Sequence, residues 1–299
     1  MGLYVFLIFV ASAIYVQNRG KVQHVKLARK LTDHSNLLGP VNCLFYAFSR
    51  VKNEPYIDVK EFPELTVLQD NWEIIRDEAI ALDEDKAIKS SDALDDLGFN
   101  SFFKTGWKRF YLQWYGSSLP SALATCPKTV ALLSNIPSVK GAMFAMLPPG
   151  ARLVKHRDPY AGSLRYHLGL VTPNDDNCFI NVDGDAYSWR DGEAVMFDET
   201  FIHYAENQTE QNRIVLFLDV KRPVKYRLVD WFNTVFSYLV VSATATKNAP
   251  GDKVGFLNKI FASVYKIRLV GKRIKAQSTV LYYGIQYVLY AALIYWIFF

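Results

Sequence analysis

The stretch "HRDPYAGSLRYHLGLV" (156–171) decides how this chain is read. Its first twelve residues hold two of the five histidines, one aspartate and two arginines, and an apolar, strand-like run follows at once. A buried strand does not ordinarily start with so many groups that are costly to desolvate. In a strand, side chains two apart share a face. His156 and Asp158 therefore pair at one strand end, and Arg165 and His167 share a face of the next strand.

Downstream, "EAVMFD" leads into "ETFIHYAENQ", which carries His203. "AENQTEQN" reads as a turn, and Arg213 opens the strand "RIVLFLDV". This places His203 and Arg213 on neighbouring strands. Around these motifs, "GAMFAML", "RYHLGLV", "NCFINV" and "EAVMFD" are short β-branched and aromatic runs separated by Gly, Pro, Asn and Asp. That spacing predicts an all-β sandwich or barrel over about 140–222 rather than βαβ units.

Two imidazoles and one carboxylate on one face of a barrel match the facial triad of non-haem Fe(II). Three further positions then remain for a bidentate co-substrate and O2, and a guanidinium suits the distal carboxylate of a 2-oxo acid. Zinc with an activated water is the alternative, with Asp185, Asp191 or Glu193 as nearby bases. A lone His-x-Asp is usually a surface turn, and His167 between Tyr166 and Leu168 also reads as a core histidine. The full set inside one β-rich region outweighs both. No P-loop, nucleophile elbow or Gly-x-Gly-x-x-Gly accompanies it.

Composition sets the limits. The chain has 299 residues, 51% apolar and 21% charged, with a net charge of +5. That excludes a disordered chain. No nucleic-acid-binding motif is present, so no nucleic-acid partner is expected. Cys43, Cys126 and Cys178 are far apart and odd in number, which indicates reduced thiols rather than a disulfide framework or a structural zinc site.

The ends carry their own signal. Residues 1–18 and 276–299 lack charged side chains, and each is flanked on its inner side by basic residues without acids. This predicts an N-terminal transmembrane anchor (1–18), a basic cytoplasmic linker (19–60) and a C-terminal transmembrane anchor (276–299). Residues 224–275 are expected to form interfacial amphipathic helices, the second basic and drawn to anionic head groups, with a third span at 228–245 as the alternative. His24 and His34 are expected to be exposed. In 61–140, Asp70 is a plausible N-cap for the helix that follows, "ALDEDKAIKSSDALDD" (81–96) a solvated surface or loop, and "GWKRFYLQWYG" (106–116) an amphipathic strand.

The stretches "FAMLPPGARLVKHRDPYAGSLRYHLGLVTP" (144–173) and "WRDGEAVMFDETFIHYAENQTEQNRIVLFLDVKRP" (189–223) resemble the aspartyl/asparaginyl β-hydroxylase family of Fe(II)/2-oxoglutarate dioxygenases, and most of all its membrane-anchored lipid A 2-hydroxylase branch. The resemblance covers 61–223 and implies an α+β fold. Its core would be a double-stranded β-helix, a cupin-like jelly roll, with flanking helices and terminal transmembrane helices. It implies His156, Asp158 and His203 as iron ligands and Arg213 as partner of the 2-oxoglutarate distal carboxylate, with Arg165 and His167 as further co-substrate contacts. Some relatives carry a serine where Ala145 stands.

The activity implied is hydroxylation at C2 of an acyl chain of lipid A or a lipopolysaccharide precursor, using Fe(II), 2-oxoglutarate and O2 and giving succinate and CO2. The place implied is the bacterial inner membrane, with the catalytic domain facing the cytoplasm. No protein partner is expected. Lys104, Lys108, Arg109, Lys221, Arg222 and Arg227 are candidates for the lipid head group. The alternatives are a peptidyl aspartyl/asparaginyl β-hydroxylase and a non-catalytic membrane cupin-like protein.

Overall fold

The computed structural model describes residues 2–90 and 96–298. Eleven strands form two sheets: β1 (Tyr56–Ile57), β2 (Lys108–Trp114), β3 (Ser117–Ser118), β4 (Val139–Leu147), β5 (Arg152–His156), β6 (Ser163–Val171), β7 (Cys178–Val182), β8 (Asp185–Ser188), β9 (Ala194–Phe197), β10 (His203–Asn207) and β11 (Arg213–Lys221). The larger sheet runs β1-β9-β6-β11-β4-β2-β3 and the smaller β5-β10-β7-β8. All the strand pairings within them are antiparallel. Two antiparallel sheets enclosing a shared lumen, flanked by helices, give the α+β, jelly-roll-like architecture.

Strand β6 explains the opening stretch. It lies between β9 and β11, and its buried residues divide by parity. Leu164, Tyr166, Leu168 and Leu170 are fully buried on the outer face. There the helix Trp72–Glu84 packs, burying Ile75, Ala79 and Leu82 at helical spacing. Arg165 and His167 point the other way and line the lumen. The sheet thus turns an apolar face outward under a helix and a polar face inward. Gly169 lets the Arg190 backbone approach β6 closely, because a Cβ there would come within 2.0 Å of the Arg190 carbonyl oxygen.

Several expectations change. "GWKRFYLQWYG" does contain a strand, β2, but four consecutive residues of it are buried, so it is covered on both faces rather than amphipathic. Asp70 ends a short helix, and the next begins after Asn71, which makes no side-chain cap bond. "AEN" (205–207) belongs to β10, so the turn is shorter than expected. Of 81–96, Ala81–Glu84 complete a helix, and residues 91–95 lie outside the described residues.

Among the described residues, no helix is long and apolar enough to cross a membrane, so the spans expected at 1–18 and 276–299, and the alternative at 228–245, gain no support here. The N-terminal helix Gly2–Asn18 has 17 residues, and its last turns are buried at Ser12, Val16 and Gln17. The C-terminal helix Thr279–Phe298 is continuous and carries tyrosines and Gln286 among its apolar residues. Residues 228–245 form a helix, Arg227–Phe236, followed by a π-helical and a 3-10 turn.

Residues 19–60 are packed onto the barrel rather than strung beside it. Arg19 donates to Asp198 at 2.6 Å and is stacked between the rings of Tyr46 and Phe201. Gly20 adopts φ +86° against Asp183, whose carboxylate accepts from the Lys21 and Val22 amides. Arg157, between His156 and Asp158 in sequence, reaches away from the lumen to the Val16 carbonyl. His24 is largely buried beside Asp33 at 3.3 Å, whereas His34 is exposed.

Candidate metal centre

The residues of the opening stretch meet His203 at the lumen mouth. His156 ends β5 and pairs in register with His203 at the start of β10, and their ring centroids lie 4.2 Å apart. Asp158 follows in the bend after β5. Ligand atoms of His156, Asp158 and His203 all lie within 4.8 Å of one another. His156 Nδ1 sits 2.7 Å from the Val154 carbonyl oxygen, and His203 Nδ1 sits 3.0 Å from that of Phe201. A carbonyl only accepts, so each Nδ1 carries the proton and each Nε2 keeps its lone pair. Both rings are thereby preset as Nε2 ligands.

Electrostatics favours the ligating protonation states. Burial pushes His156 down, and it carries His203 to about 3 with help from the neighbouring His156. Burial works against the Asp158 carboxylate, but Arg165 and the two imidazoles outweigh it and hold its pKa below the usual value. Two neutral imidazoles and one carboxylate are the donor set a hard-to-borderline divalent ion requires.

Arg165 is the hub beside this triad. Its Nη2 donates to Asp158 Oδ2 at 2.8 Å and its Nε to Asp219 Oδ1 at 3.0 Å. Glu199 Oε2 lies 3.2 Å from the same Nε, off the hydrogen-bonding direction. The guanidinium also stacks on Phe217 at 3.8 Å. Three carboxyls around one guanidinium do not all ionise readily, and burial raises Glu199 and Asp219. Sequence reasoning missed both acids. The signal was there for Asp219, a lone acid within the apolar run "LFLDV".

Deeper in the lumen lie Arg213 and His167. Arg213 is buried, lies 4.3 Å above the Trp189 ring, and makes one backbone bond, from Nη1 to the Ala145 oxygen at 3.3 Å. Its Nε has no partner, and it forms no ion pair among the described residues. Burial lowers its pKa to about 10. Both ring nitrogens of His167 are buried without partners, and burial beside Arg213 pushes its pKa well down. A buried cation beside an unsatisfied imidazole suits a carboxylate-bearing small molecule. Free space in the lumen is about 30 Å³, room for water.

The six residues expected at the site thus line one lumen. His203 and Arg213 are not on neighbouring strands, however. The short turn after β10 carries the chain to the other sheet, so they face each other across the lumen. Phe102, which sequence reasoning did not single out, packs its ring 4.7 Å from that of His156.

The head-group candidates fare less well. Arg109 and Arg222 are buried in ion pairs with Asp96 and Asp198. Lys221 pairs with Asp230 at 2.6 Å, and Lys104 donates to the Tyr265 hydroxyl. Lys108 is half-buried, and Arg227 is exposed.

Known proteins resemble this chain. An ornithine lipid ester-linked acyl 2-hydroxylase from Rhizobium tropici is 34% identical over 189 residues, covering 62% of this chain and 67% of that protein. The human aspartyl/asparaginyl beta-hydroxylase is 31% identical over 186 residues, covering 60% of this chain but only 24% of its own length. Among solved structures, a Pseudomonas putida prolyl-4-hydroxylase overlaps 52% of this chain and 88% of its own, at 16% identity and a TM-score of 0.34. The aspartyl/asparaginyl beta-hydroxylase family model matches residues 69–223, more than half of the 299 residues, and the chain belongs to that family.

Proposed function

We propose that the protein is an Fe(II)- and 2-oxoglutarate-dependent dioxygenase that hydroxylates C2 of an acyl chain of lipid A or a lipopolysaccharide precursor. The observation that carries this reading is the triad His156, Asp158 and His203 above a buried Arg213 that has no carboxylate partner among the described residues and a free Nε. Similarity to a protein named as a lipid acyl 2-hydroxylase supports the substrate class. When bound, Fe(II) with 2-oxoglutarate and O2 would supply the oxidising power that inserts one oxygen atom into the C–H bond, giving succinate and CO2.

The chain's own residues do the rest. The two Nε2 atoms and one Asp158 oxygen would hold the metal on one face, leaving its other face to co-substrates. Arg165 keeps the second Asp158 oxygen engaged, which favours single-oxygen ligation. Arg213 and His167 would anchor the co-substrate's distal carboxylate and fix its orientation. Phe102, packed on His156 and on Trp107, gives the His156 side of the site an apolar wall.

The reaction would take place at the cytoplasmic surface of the bacterial inner membrane. Leu3, Tyr4 and Ile8 on the N-terminal helix and Leu228, Trp231 and Leu239 near residue 230 are exposed apolar side chains of the kind that rest in a lipid interface. Purified full-length protein with Fe(II), 2-oxoglutarate and a lipid extract should form succinate and add 16 Da to the lipid, read by mass spectrometry. A 16 Da gain on an Asp- or Asn-containing peptide instead would establish the peptidyl hydroxylase reading. No succinate with any substrate, and no iron uptake, would leave a non-catalytic cupin-like protein.

A further inference from the structure

A second cavity abuts the metal centre. It is an open cleft of about 610 Å³ between the 24–34 segment, the His156–Arg157 turn, the basic helix Phe256–Gln277 and the C-terminal helix. His156 lines both this cleft and the lumen, so the two share a wall.

The cleft is cationic. Arg29, Arg268 and Lys275 line it, and none has a carboxylate partner among the described residues. Arg29 donates to the Lys155 carbonyl, Arg268 lies over the Tyr265 ring, and Lys275 donates to the Tyr283 hydroxyl at 2.9 Å. The one acid in the wall, Asp33, is already engaged. It accepts from the Ser35 amide and hydroxyl and lies 3.4 Å from Arg157 and 3.3 Å from His24. Three unbalanced cations with tyrosine hydroxyls beside them match a phosphate. A head group bringing an amine, such as ornithine, finds no free carboxylate there.

We propose that this cleft seats the phosphorylated head group of the lipid substrate, so that the acyl chain runs past His156 to the metal centre. The inference rests on the lipid-hydroxylase reading and narrows it to phosphate-bearing lipids. The cations that line this cleft come from both ends of the chain, whereas Arg109, Arg222, Lys221 and Lys104 are engaged elsewhere.

The test uses the full-length protein and phosphatidylcholine vesicles carrying a glucosamine-disaccharide lipid, either phosphorylated or dephosphorylated. Binding is read by co-flotation and hydroxylation by mass spectrometry. The wild type should bind the phosphorylated form about tenfold more tightly or better, as expected for two or three charge-assisted contacts at an exposed site. Arg268→Gln with Lys275→Gln should shrink that preference to about twofold with circular dichroism unchanged. Lys259→Gln with Lys266→Gln, on the same helix outside the cleft, should keep the preference even where overall vesicle affinity falls.

Retention of the preference by the first pair, or equal loss in the second, overturns the cleft. Displacement by inorganic phosphate at lipid-like affinity would make it a free-phosphate site and overturn the head-group assignment. Hydroxylation indifferent to the phosphate overturns the cleft and leaves the lipid reading standing. Phosphate-dependent binding without hydroxylation of any lipid sustains the cleft and sinks that reading.

Discussion

Arg165 places Nη2 2.8 Å from Asp158 Oδ2, while Asp158 Oδ1 faces His156 Nε2 at 3.6 Å. One oxygen of the carboxylate is pinned and the other is turned to the metal centre. Arg165 also answers Asp219 and Glu199, so it is both a support for the ligand set and an element of the core. Arg165→Lys keeps the charge but loses the fork. It should weaken metal binding by about 10–100-fold, the range typical for lost outer-sphere partners. Arg165→Met, which strands three buried carboxyls, should cost about 3–5 kcal/mol of stability. Equilibrium dialysis against Co(II) and denaturant unfolding check the two.

His203→Ala should abolish turnover and cut metal uptake while shifting stability by only about 1 kcal/mol. The imidazole is buried, but its one hydrogen bond goes to a local carbonyl, that of Phe201. Residual turnover near the wild-type rate would remove His203 as a ligand.

Arg213 separates co-substrate binding from folding. Arg213→Met removes a buried cation that forms no ion pair among the described residues and keeps contact with Trp189. We expect the KM for 2-oxoglutarate to rise about 10–100-fold, matching the loss of a charged hydrogen-bonded pair worth about 1.5–3 kcal/mol. The thermal midpoint without co-substrate should rise, because an uncompensated buried charge is gone. A fall in midpoint would show that Arg213 stabilises the fold instead.

Asp198 sets an acid limit on stability. Buried, it accepts from Arg19 and Arg222, and these cations hold its pKa well below the usual carboxylate value despite the burial. The folded state therefore binds fewer protons than the unfolded one in that window. The stabilisation is fully present above about pH 4 and is lost as pH falls through the depressed folded value. Asp198→Asn should lower stability at neutral pH by about 3–5 kcal/mol, leaving two buried guanidinium groups unpaired. It should also flatten the acid dependence of the unfolding midpoint between about pH 4 and pH 2.

Gly169→Ala tests the close approach of the Arg190 backbone to β6. The added methyl would meet the Arg190 carbonyl, a backbone atom that cannot swing aside. A loss of about 3 kcal/mol is expected from such overpacking, read by chemical denaturation.

The local record was legible because side-chain period and backbone period are tied. The alternation in "SLRYHLGLV" and "RIVLFLDV" already separates a polar face from an apolar one, and the turn residues between the runs mark an antiparallel β region. Residue types and spacing single out His156, Asp158 and His203 as a candidate metal set, whereas the role of Arg213 is what the family resemblance implies. Which face looks inward, and that His203 and Arg213 come from opposite sheets, required the tertiary structure, because a strand's neighbours are chosen by long-range pairing.

The ends show the same division. Charge-free termini with basic flanks determine an apolar, membrane-seeking character, but they do not say which segments those helices meet: the N-terminal helix lies against the helix Gly39–Phe48 and the C-terminal helix against Phe256–Gln277. Tertiary contacts decided that Arg19 ties the N-terminal segment to Asp198 and that Arg157 ties it to the turn carrying His156 and Asp158. They also decided that Arg29, Arg268 and Lys275, more than 200 positions apart in sequence at the extremes, face one cleft. Propensity acts over a few residues, whereas burial of charge is settled only where distant segments meet.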